Sequence, residues 1–466
     1  MDKDKFSLKT KIQNPKDIAF IVIAFLVLAI LYFIPTPEGL TFSGKIMIGI
    51  LLMAAILWIT EPIPLPVTGL LIMILQPLLQ VLPAKDVFSS FGNQAVFFLI
   101  GAFIIAGAIE KHGLHRRIAL KFLGLFEESP RLFTFGIMIS CASLSFIMPE
   151  HGVAALFLPI VVSILIAMKI APKQSNFGKI CMLSVAYGCS IGSLGTLIGG
   201  ARNPLTVGFL ASEDIGITIS FFDWMKYSMP VVLIALPLVW LVLQFSFPIE
   251  IQNITAAKKE IKNQVSIAGK ISKNEIIVSV ILIFTIFLWI FSSSSIYFGL
   301  AVGAILGSVL LFLTRSVTWK DIESRVPWGI VLLYGGAITL GVGMERTGAG
   351  AWIADQIFTT FHISPYLAIL LLIIFTILLT EVMSNIGAVA ILLPIGFSFA
   401  SKIGINPLFT SMIIALSGGL AFMLVIATPG NAITYSSGYY STKDLFKAGV
   451  IANIICIAIV FFVAVF

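Results

Sequence analysis

The chain has 466 residues, of which 59% are hydrophobic and only 11% are charged. Because soluble globular domains carry about 25% charged residues, this composition excludes a soluble fold and predicts an all-α polytopic membrane protein. The net charge of +7 could indicate a nucleic-acid partner, but the Lys and Arg residues cluster beside the apolar runs. That distribution follows the positive-inside rule and excludes nucleic acid as the explanation.

The first predicted element is a membrane span at residues 18–34. A basic segment precedes it, as in a signal peptide, but no small-residue cleavage site follows. We therefore expect residues 1–43 to form an N-terminal cytoplasmic segment and the first transmembrane helix. We expect an integral protein of the plasma membrane, and the basic clusters predict that its N-terminus lies in the cytoplasm.

The first half of the chain, residues 44–247, contains two segments that differ from simple spans. Residues 131–168 are apolar but are interrupted by Pro-Glu-His-Gly at 149–152, which predicts a re-entrant hairpin. Residues 177–210 are rich in glycine and contain a proline, so we expect a broken helix there.

A basic linker at residues 248–275, which we expect in the cytoplasm, leads to the second half at 276–466. The second half has the same two features in the same order. We expect a re-entrant hairpin at 364–401, with its tip at Ser-Asn-Ile-Gly, and a broken helix at 406–438.

The two halves are related by a constant offset of 235 positions. The segment from Gly101 matches the segment from Gly336, and "MPEHGVAALFLPI" from Met148 matches "MSNIGAVAILLPI" from Met383. Basic residues follow the first of these segments but are sparse after its counterpart, which indicates an inverted repeat. Inversion needs an odd number of spans in each half. Five per half and the first span give eleven transmembrane helices, with the C-terminus outside.

The hairpin tips and broken helices bring four unwound backbone stretches toward one place. Helix N-termini carry free N–H groups and partial positive charge, which suit anions, whereas unwound carbonyl groups suit cations. The alternative is that Gly and Pro only kink the helices for packing. Glu381, beside the second tip, could line this site or make a helix-packing hydrogen bond.

These features resemble the divalent anion/sodium symporter family of dicarboxylate transporters, which is similar to solute carrier family 13. Its members have Ser-Asn-Thr at each hairpin tip and a Thr-Pro-Pro-Asn-like motif in each broken helix. In the second half, Ser384-Asn385-Ile386 and Thr428-Pro429-Gly430-Asn431 stand at these positions. The resemblance implies an eleven-span homodimer among membrane lipids, an elevator-type motion of transport domains against scaffold domains, and small dicarboxylate substrates.

The first half departs from the family pattern, which makes this an atypical member. Its Ser-Asn-Thr positions hold Pro149, Glu150 and His151, and its Thr-Pro-Pro-Asn positions hold the segment 200–203. The candidate substrate-binding residues are Glu150, His151, Gly152, Gly200, Ala201, Arg202, Asn203, Ser384, Asn385, Ile386, Gly387, Thr428, Pro429, Gly430 and Asn431. The resemblance further implies a residual sodium site at Thr380, Asn385 and Ala427.

Charged side chains at membrane depth cost about 2.5–3.5 kcal/mol each on insertion scales, so they persist when paired or functional. The hairpin tip and the broken helix should be adjacent, and we therefore expect Glu150 to pair with Arg202. His151 could then donate to a substrate carboxylate or carry a coupling proton. The alternative is a purely structural pair, with His151 capping the tip.

A fixed arginine differs from a bound sodium ion because it cannot leave the carrier. An empty carrier would keep this positive site at midplane depth, which favours return with another anion bound. The sequence therefore leads us to expect sodium-independent exchange of C4 and C5 dicarboxylates such as succinate, malate, fumarate and 2-oxoglutarate. The alternatives are a sodium- or proton-coupled dicarboxylate or citrate symporter, and an inorganic oxyanion permease.

An intramembrane enzyme using Glu150 and His151 as acid and base is the competing class. No metal-ligand spacing such as HExxH and no Ser/His motif supports it. The four cysteines lie in apolar stretches without ligand spacing. We therefore predict a transporter without a cofactor. A sodium ion is the one candidate for a bound ion.

Overall fold

The computed structural model describes residues 15–126, 129–212, 215–291, 298–361 and 364–465. Within these ranges the chain forms helices and loops and contains no strand. The predicted cytoplasmic segment before residue 15 lies outside the described residues.

The first half follows one N-terminal helix, and a short 3-10 turn occurs within it at Ser90–Gly92. The helices are α1 Pro15–Phe33, α2 Phe42–Thr60, α3 Leu65–Leu78, α4 Ala84–Ser89, α5 Gln94–Lys111, α6 Leu114–Leu123, α7 Pro130–Leu144, α8 Glu150–Ala167, α9 Asn176–Gly192, α10 Arg202–Leu210 and α11 Phe221–Ser246. Both the predicted hairpin and the predicted broken helix are therefore interrupted near their centres.

The linker forms a helix of its own, and ten helices follow it within the residues that the structure describes. They are α12 Thr255–Ala268, α13 Lys273–Phe291, α14 Leu300–Leu313, α15 Trp319–Glu323, α16 Trp328–Arg346, α17 Ala349–Phe361, α18 Pro365–Val382, α19 Asn385–Ile403, α20 Pro407–Ser417, α21 Pro429–Tyr435 and α22 Thr442–Val465. The second hairpin and the second broken helix are interrupted in the same way as the first.

Ten of the described helices are long and apolar enough to cross a membrane. Four shorter apolar helices, of 10–17 residues, accompany them. The protein is therefore an all-helical integral membrane protein, as its composition predicts. The total of eleven spans and the re-entrant course of the hairpins stay predictions.

The helices of the two halves begin at positions related by the repeat offset. Four helix starts in the first half have counterparts 235 positions later: Leu65 and Leu300, Leu114 and Ala349, Pro130 and Pro365, Glu150 and Asn385. These pairs start α3 and α14, α6 and α17, α7 and α18, and α8 and α19. The secondary structure thus supports the internal repeat.

Two close helix crossings join the halves in a reciprocal manner. A Cβ atom added to Gly336 in α16 would lie 2.3 Å from the Cα of Gly69 in α3, and one added to Gly101 in α5 would lie 2.6 Å from the carbonyl carbon of Ala304 in α14. Gly69 and Ala304 are repeat equivalents, as are Gly101 and Gly336. Each half therefore supplies one helix to each crossing, which is the arrangement that a pseudo-twofold axis produces.

The helix in the linker, α12, is attached to the first hairpin. The Ser163 hydroxyl in α8 donates a 2.6 Å hydrogen bond to the Glu260 carboxylate. Hydrogen bonds from Ser163 and Gln264 hold the pKa of the Glu260 carboxyl below its usual range. Arg117 in α6 donates to the Ala268 carbonyl at 3.0 Å. The linker is thus an ordered helix that bridges α8 and α6.

We expect Gly336→Ala to destabilise the protein, because the new methyl group would overlap the α3 backbone at Gly69. Overpacking of this kind costs about 1–3 kcal/mol or more. The matched control is Gly92→Ala, where an added Cβ meets nothing within 4 Å. Thermal unfolding in detergent should show a lower transition temperature for Gly336→Ala only; equal temperatures would contradict the proposed crossing.

Candidate substrate and cation site

The first hairpin tip lies directly against the first broken helix. Pro149 has an extended conformation, so α8 begins at the next residue. The Glu150 backbone N–H donates to the Gly199 carbonyl at 3.1 Å. A Cβ on Gly199 would lie 2.5 Å from the Ser145 carbonyl oxygen, so this approach requires glycine. The predicted adjacency of tip and broken helix is confirmed.

The first unwound stretch, residues 193–201, is held together by one buried amide. The Asn203 Nδ2 group donates to the carbonyls of Ser193, at 2.8 Å, and Thr196, at 2.6 Å. Thr196 in turn donates to the Phe146 carbonyl of the hairpin at 2.7 Å. These bonds replace part of the helical hydrogen bonding that the break removes.

The second unwound stretch, residues 418–428, is held in the same way. The Asn431 Nδ2 group donates to the carbonyls of Ala421, at 3.3 Å, and Leu424, at 2.9 Å. These acceptors lie ten and seven positions before the asparagine, as Ser193 and Thr196 lie before Asn203. Asn203 and Asn431 are therefore structural equivalents. The Oδ1 atoms of both are buried and have no protein partner among the described residues.

Helix caps organise the second tip and the second broken helix. The Ser384 hydroxyl accepts from the Gly387 N–H at 3.2 Å and caps α19. Thr428 accepts from the Asn431 N–H at 3.1 Å and caps α21, with Pro429 at the first helical position. Both helices thus begin with a capped N-terminus. The other N–H groups of the first turn have no partner within the helix.

Three uncharged oxygen atoms meet beside the second tip. The Thr380 hydroxyl lies 2.5 Å from the Asn385 Oδ1 atom and 3.1 Å from the Gly418 carbonyl oxygen. One hydroxyl hydrogen cannot satisfy two acceptors fully. Hydroxyl and carbonyl oxygens are the ligands that hard cations prefer, so this cluster fits a sodium ion. Ala427, the third predicted ligand, donates its N–H to the Leu424 carbonyl at 3.3 Å.

Arg202 lies between the two broken helices. Its guanidinium is 1% exposed, and its Nη1 atom lies 3.8 Å from the Glu150 carboxylate, so the predicted pair is present. Nη2 donates to the Ser193 hydroxyl at 2.7 Å, and Nε donates to the Ala415 carbonyl at 3.2 Å. At about 4 Å and an effective dielectric of about 20, opposite unit charges attract by about 4 kcal/mol, which offsets part of the desolvation cost.

Two glycines make room for this guanidinium. A Cβ atom would lie 2.7 Å from Nη1 if added to Gly200 and 2.1 Å from Nη2 if added to Gly419. Gly200 belongs to the first unwound stretch and Gly419 to the second. The Arg202 side chain is therefore enclosed by backbone from both halves of the chain.

The two polar residues of the first tip differ in access. Glu150 is 7% exposed, and its Oε2 atom has no hydrogen-bond partner among the described residues. His151 is exposed. The described hydrogen bonds of the Arg202 guanidinium, in contrast, go to protein groups.

The remaining predicted residues lie at the starts of the helices that follow the two tips and the two unwound stretches. Gly152 and Ile386 are half-buried in the first turns of α8 and α19, Ala201 precedes α10, and Gly430 is buried in α21. The structure brings the tips and unwound stretches of each half together. Their roles in binding stay predictions.

Glu381 has a structural role that the sequence leaves undecided. Its carboxylate accepts hydrogen bonds from the backbone N–H groups of residues 422–424, at 2.8–3.2 Å, and from the Asn453 amide at 2.7 Å. The equivalent position in the first half is Phe146. The sequence signal for this structural role is a single acidic residue in an apolar segment, at a position where the other half of the repeat has an apolar residue.

The chain matches a family model described as the sodium:sulfate symporter transmembrane region over residues 16–466. It is 30% identical over 456 residues to the sodium-dependent dicarboxylate transporter SdcS of Staphylococcus saprophyticus, covering 92% of this chain and 87% of that relative. It is also 30% identical over 453 residues to SdcS of Staphylococcus aureus strain USA300, covering 92% and 86%. Family and relatives are transporters, so the chain is a transporter and not an enzyme.

Two solved transporter structures share the fold. Neisseria gonorrhoeae MtrF, described among antimetabolite efflux pumps, has a TM-score of 0.57 at 12% identity, covering 96% of this chain and 93% of MtrF. Alcanivorax borkumensis YdaH, described as having an unusual topology, has a TM-score of 0.53 at 11% identity, covering 96% of each chain. At these identities the likeness concerns the fold alone.

We expect Glu381→Gln to destabilise the second unwound stretch. The amide keeps only one acceptor oxygen and turns an N–H donor toward backbone N–H groups, at a cost of about 1–3 kcal/mol for each group left unsatisfied. Thermal unfolding should show a lower transition temperature than for the control Glu38→Gln, which alters an exposed loop carboxylate. Equal stability of the two variants would contradict this role.

Proposed function

We propose that this chain, which belongs to the sodium:sulfate symporter family, is a sodium-coupled symporter of C4 and C5 dicarboxylates. The proposed substrates are succinate, malate, fumarate and 2-oxoglutarate. The names of the staphylococcal relatives support both the dicarboxylate and the sodium dependence. They favour sodium coupling over sodium-independent exchange, which the sequence alone led us to expect.

The observation that carries the sodium-coupled proposal is the oxygen cluster of the second half. The Thr380 hydroxyl lies within hydrogen-bond distance of both the Asn385 amide oxygen and the Gly418 backbone carbonyl. Asn385 also begins α19, whose first-turn N–H groups favour an anion. A sodium ion and a substrate carboxylate can therefore bind side by side, and each would stabilise the other.

The opposite carboxylate of the substrate would bind at the first tip. His151 is an exposed polar residue at this tip, and the N-terminus of α8 adds a favourable dipole. Arg202 contributes its field rather than a direct contact, because its described hydrogen bonds go to Ser193 and Ala415. A dicarboxylate would thus bridge the two halves.

The wider organisation is part of the same proposal. We infer a homodimer in the plasma membrane, with a cytoplasmic N-terminus, an external C-terminus and elevator-type movement of the two hairpins with the broken helices. The distribution of basic residues supports the orientation. The family membership and the reciprocal helix crossings support the two-domain arrangement.

A proton-coupled symporter is the second candidate. It is favoured by the buried Glu150 carboxylate, whose Oε2 atom lacks a partner among the described residues, next to the exposed His151. A pH gradient applied without sodium separates the candidates, because only proton coupling would then drive accumulation. An inorganic oxyanion permease would instead show strong competition by sulfate.

We expect Thr380→Val to abolish the stimulation of transport by sodium, because it removes the hydroxyl at the centre of the oxygen cluster. The measurement is uptake of labelled succinate into proteoliposomes with and without an inward sodium gradient. The control is Thr376→Val, one turn earlier in α18, whose buried hydroxyl donates only to the Leu372 carbonyl among its described bonds. Symport would be contradicted if the wild-type uptake rate did not change with sodium and required dicarboxylate inside the proteoliposomes.

A further inference from the structure

The pseudo-twofold relation between the halves identifies which residues occupy equivalent places at the site. Glu150 and Asn385 are equivalent, because they begin α8 and α19 at the repeat offset. Asn203 and Asn431 are equivalent, because their amides donate to carbonyls ten and seven positions earlier. Arg202 and Gly430, one position before these asparagines, are therefore equivalent as well.

The two equivalent places differ in their fit to a cation. In the second half, the Asn385 amide faces the Thr380 hydroxyl, and Gly430 brings no side chain. In the first half, the Glu150 carboxylate faces a guanidinium whose Nη1 atom is 3.8 Å away. A fixed positive charge at this distance repels a second cation and already neutralises the carboxylate. The residues of the first half therefore do not fit a sodium ion.

The same guanidinium also reaches the backbone of the second-half cluster. Its Nε atom donates to the Ala415 carbonyl, in the last turn of α20, at 3.2 Å. A Cβ on Gly419 would lie 2.1 Å from Nη2, so the guanidinium is in contact with that residue. The preceding residue, Gly418, supplies the carbonyl oxygen that accepts from Thr380 at 3.1 Å. Arg202 thus fixes the chain segment that contributes one oxygen of the cluster.

We propose that the Arg202 guanidinium is a resident cation shared by both halves. In the first half, it occupies the position equivalent to the sodium site of the second half. It is also a positioning residue, because it fixes the Gly418 carbonyl of the second-half site. Of the two equivalent places, only the one at Thr380 and Asn385 binds a transported sodium ion. This inference rests on the proposed sodium-coupled transport.

Counting sodium ions tests the first part of the proposal. Binding of radioactive sodium to the purified protein, with saturating succinate, should follow a simple saturation curve with a Hill coefficient of about 1, and Thr380→Val should abolish it. Two or more sodium ions per protomer, or binding that survives Thr380→Val, would overturn the proposal. Succinate that neither binds nor is transported at any sodium concentration would instead overturn the proposed function.

Replacing the guanidinium tests its positioning role. We expect Arg202→Gln to raise the half-saturating sodium concentration by about tenfold or more, measured as binding of radioactive sodium to the purified protein with saturating succinate. Arg202→Lys, which keeps the charge but loses the planar fork, should be intermediate. The matched control is Thr206→Val, a buried position one turn later in α10. A half-saturating sodium concentration that stays at the wild-type value in Arg202→Gln would overturn the positioning role.

Exchanging the chemistry of the two places provides a further check. The double variant Glu150→Asn with Arg202→Gly gives the first half the residues that the second half has at these two positions. We expect it to bind a second sodium ion, with a Hill coefficient rising toward 2. A folded double variant that still binds one ion would overturn the proposal, and the wild-type ion count decides the question independently if this variant does not fold.

Discussion

This site depends on one constraint, which is that the backbone polar groups of two unwound stretches need hydrogen-bond partners within the protein. Each unwound stretch leaves N–H and carbonyl groups that water would otherwise bind. Asn203 and Asn431 satisfy carbonyls in their own stretches, and Glu381 satisfies N–H groups in the second. With these groups bound, the remaining carbonyls and helix N-termini stay fixed in position and can be used by ligands.

The protein combines a symmetric framework with an asymmetric site. The helix starts and the reciprocal crossings of α3 with α16 and of α5 with α14 follow one pseudo-twofold relation. The polar groups break that relation, because a Glu–Arg pair stands in the first half where Asn385 and Gly430 stand in the second. A symmetric framework supports alternating access. Charged residues in only one half allow the two halves to differ in their affinity for ions.

Much of the fold could be predicted because it depends on local patterns and on the repeat. Pro149 and Ser384 start helices through backbone restriction and capping, which act within a few residues. The pairing of Glu150 with Arg202 could be predicted because the repeat relates each hairpin tip to a broken helix. The partners of Glu381 could not, because residues 422–424 and Asn453 reach it only after α18, the second unwound stretch and α22 have packed together.

The sequence by itself determined the membrane class, the interrupted hairpins, the repeat offset and the family resemblance, since each depends on composition or on residues at set spacing. The tertiary structure alone decided how the Arg202 guanidinium is used. Its bond to the Ala415 carbonyl spans 213 positions of the chain and crosses from one half to the other. Hydrogen bonds of this kind depend on the packed arrangement of helices, so no local pattern of residues predicts them.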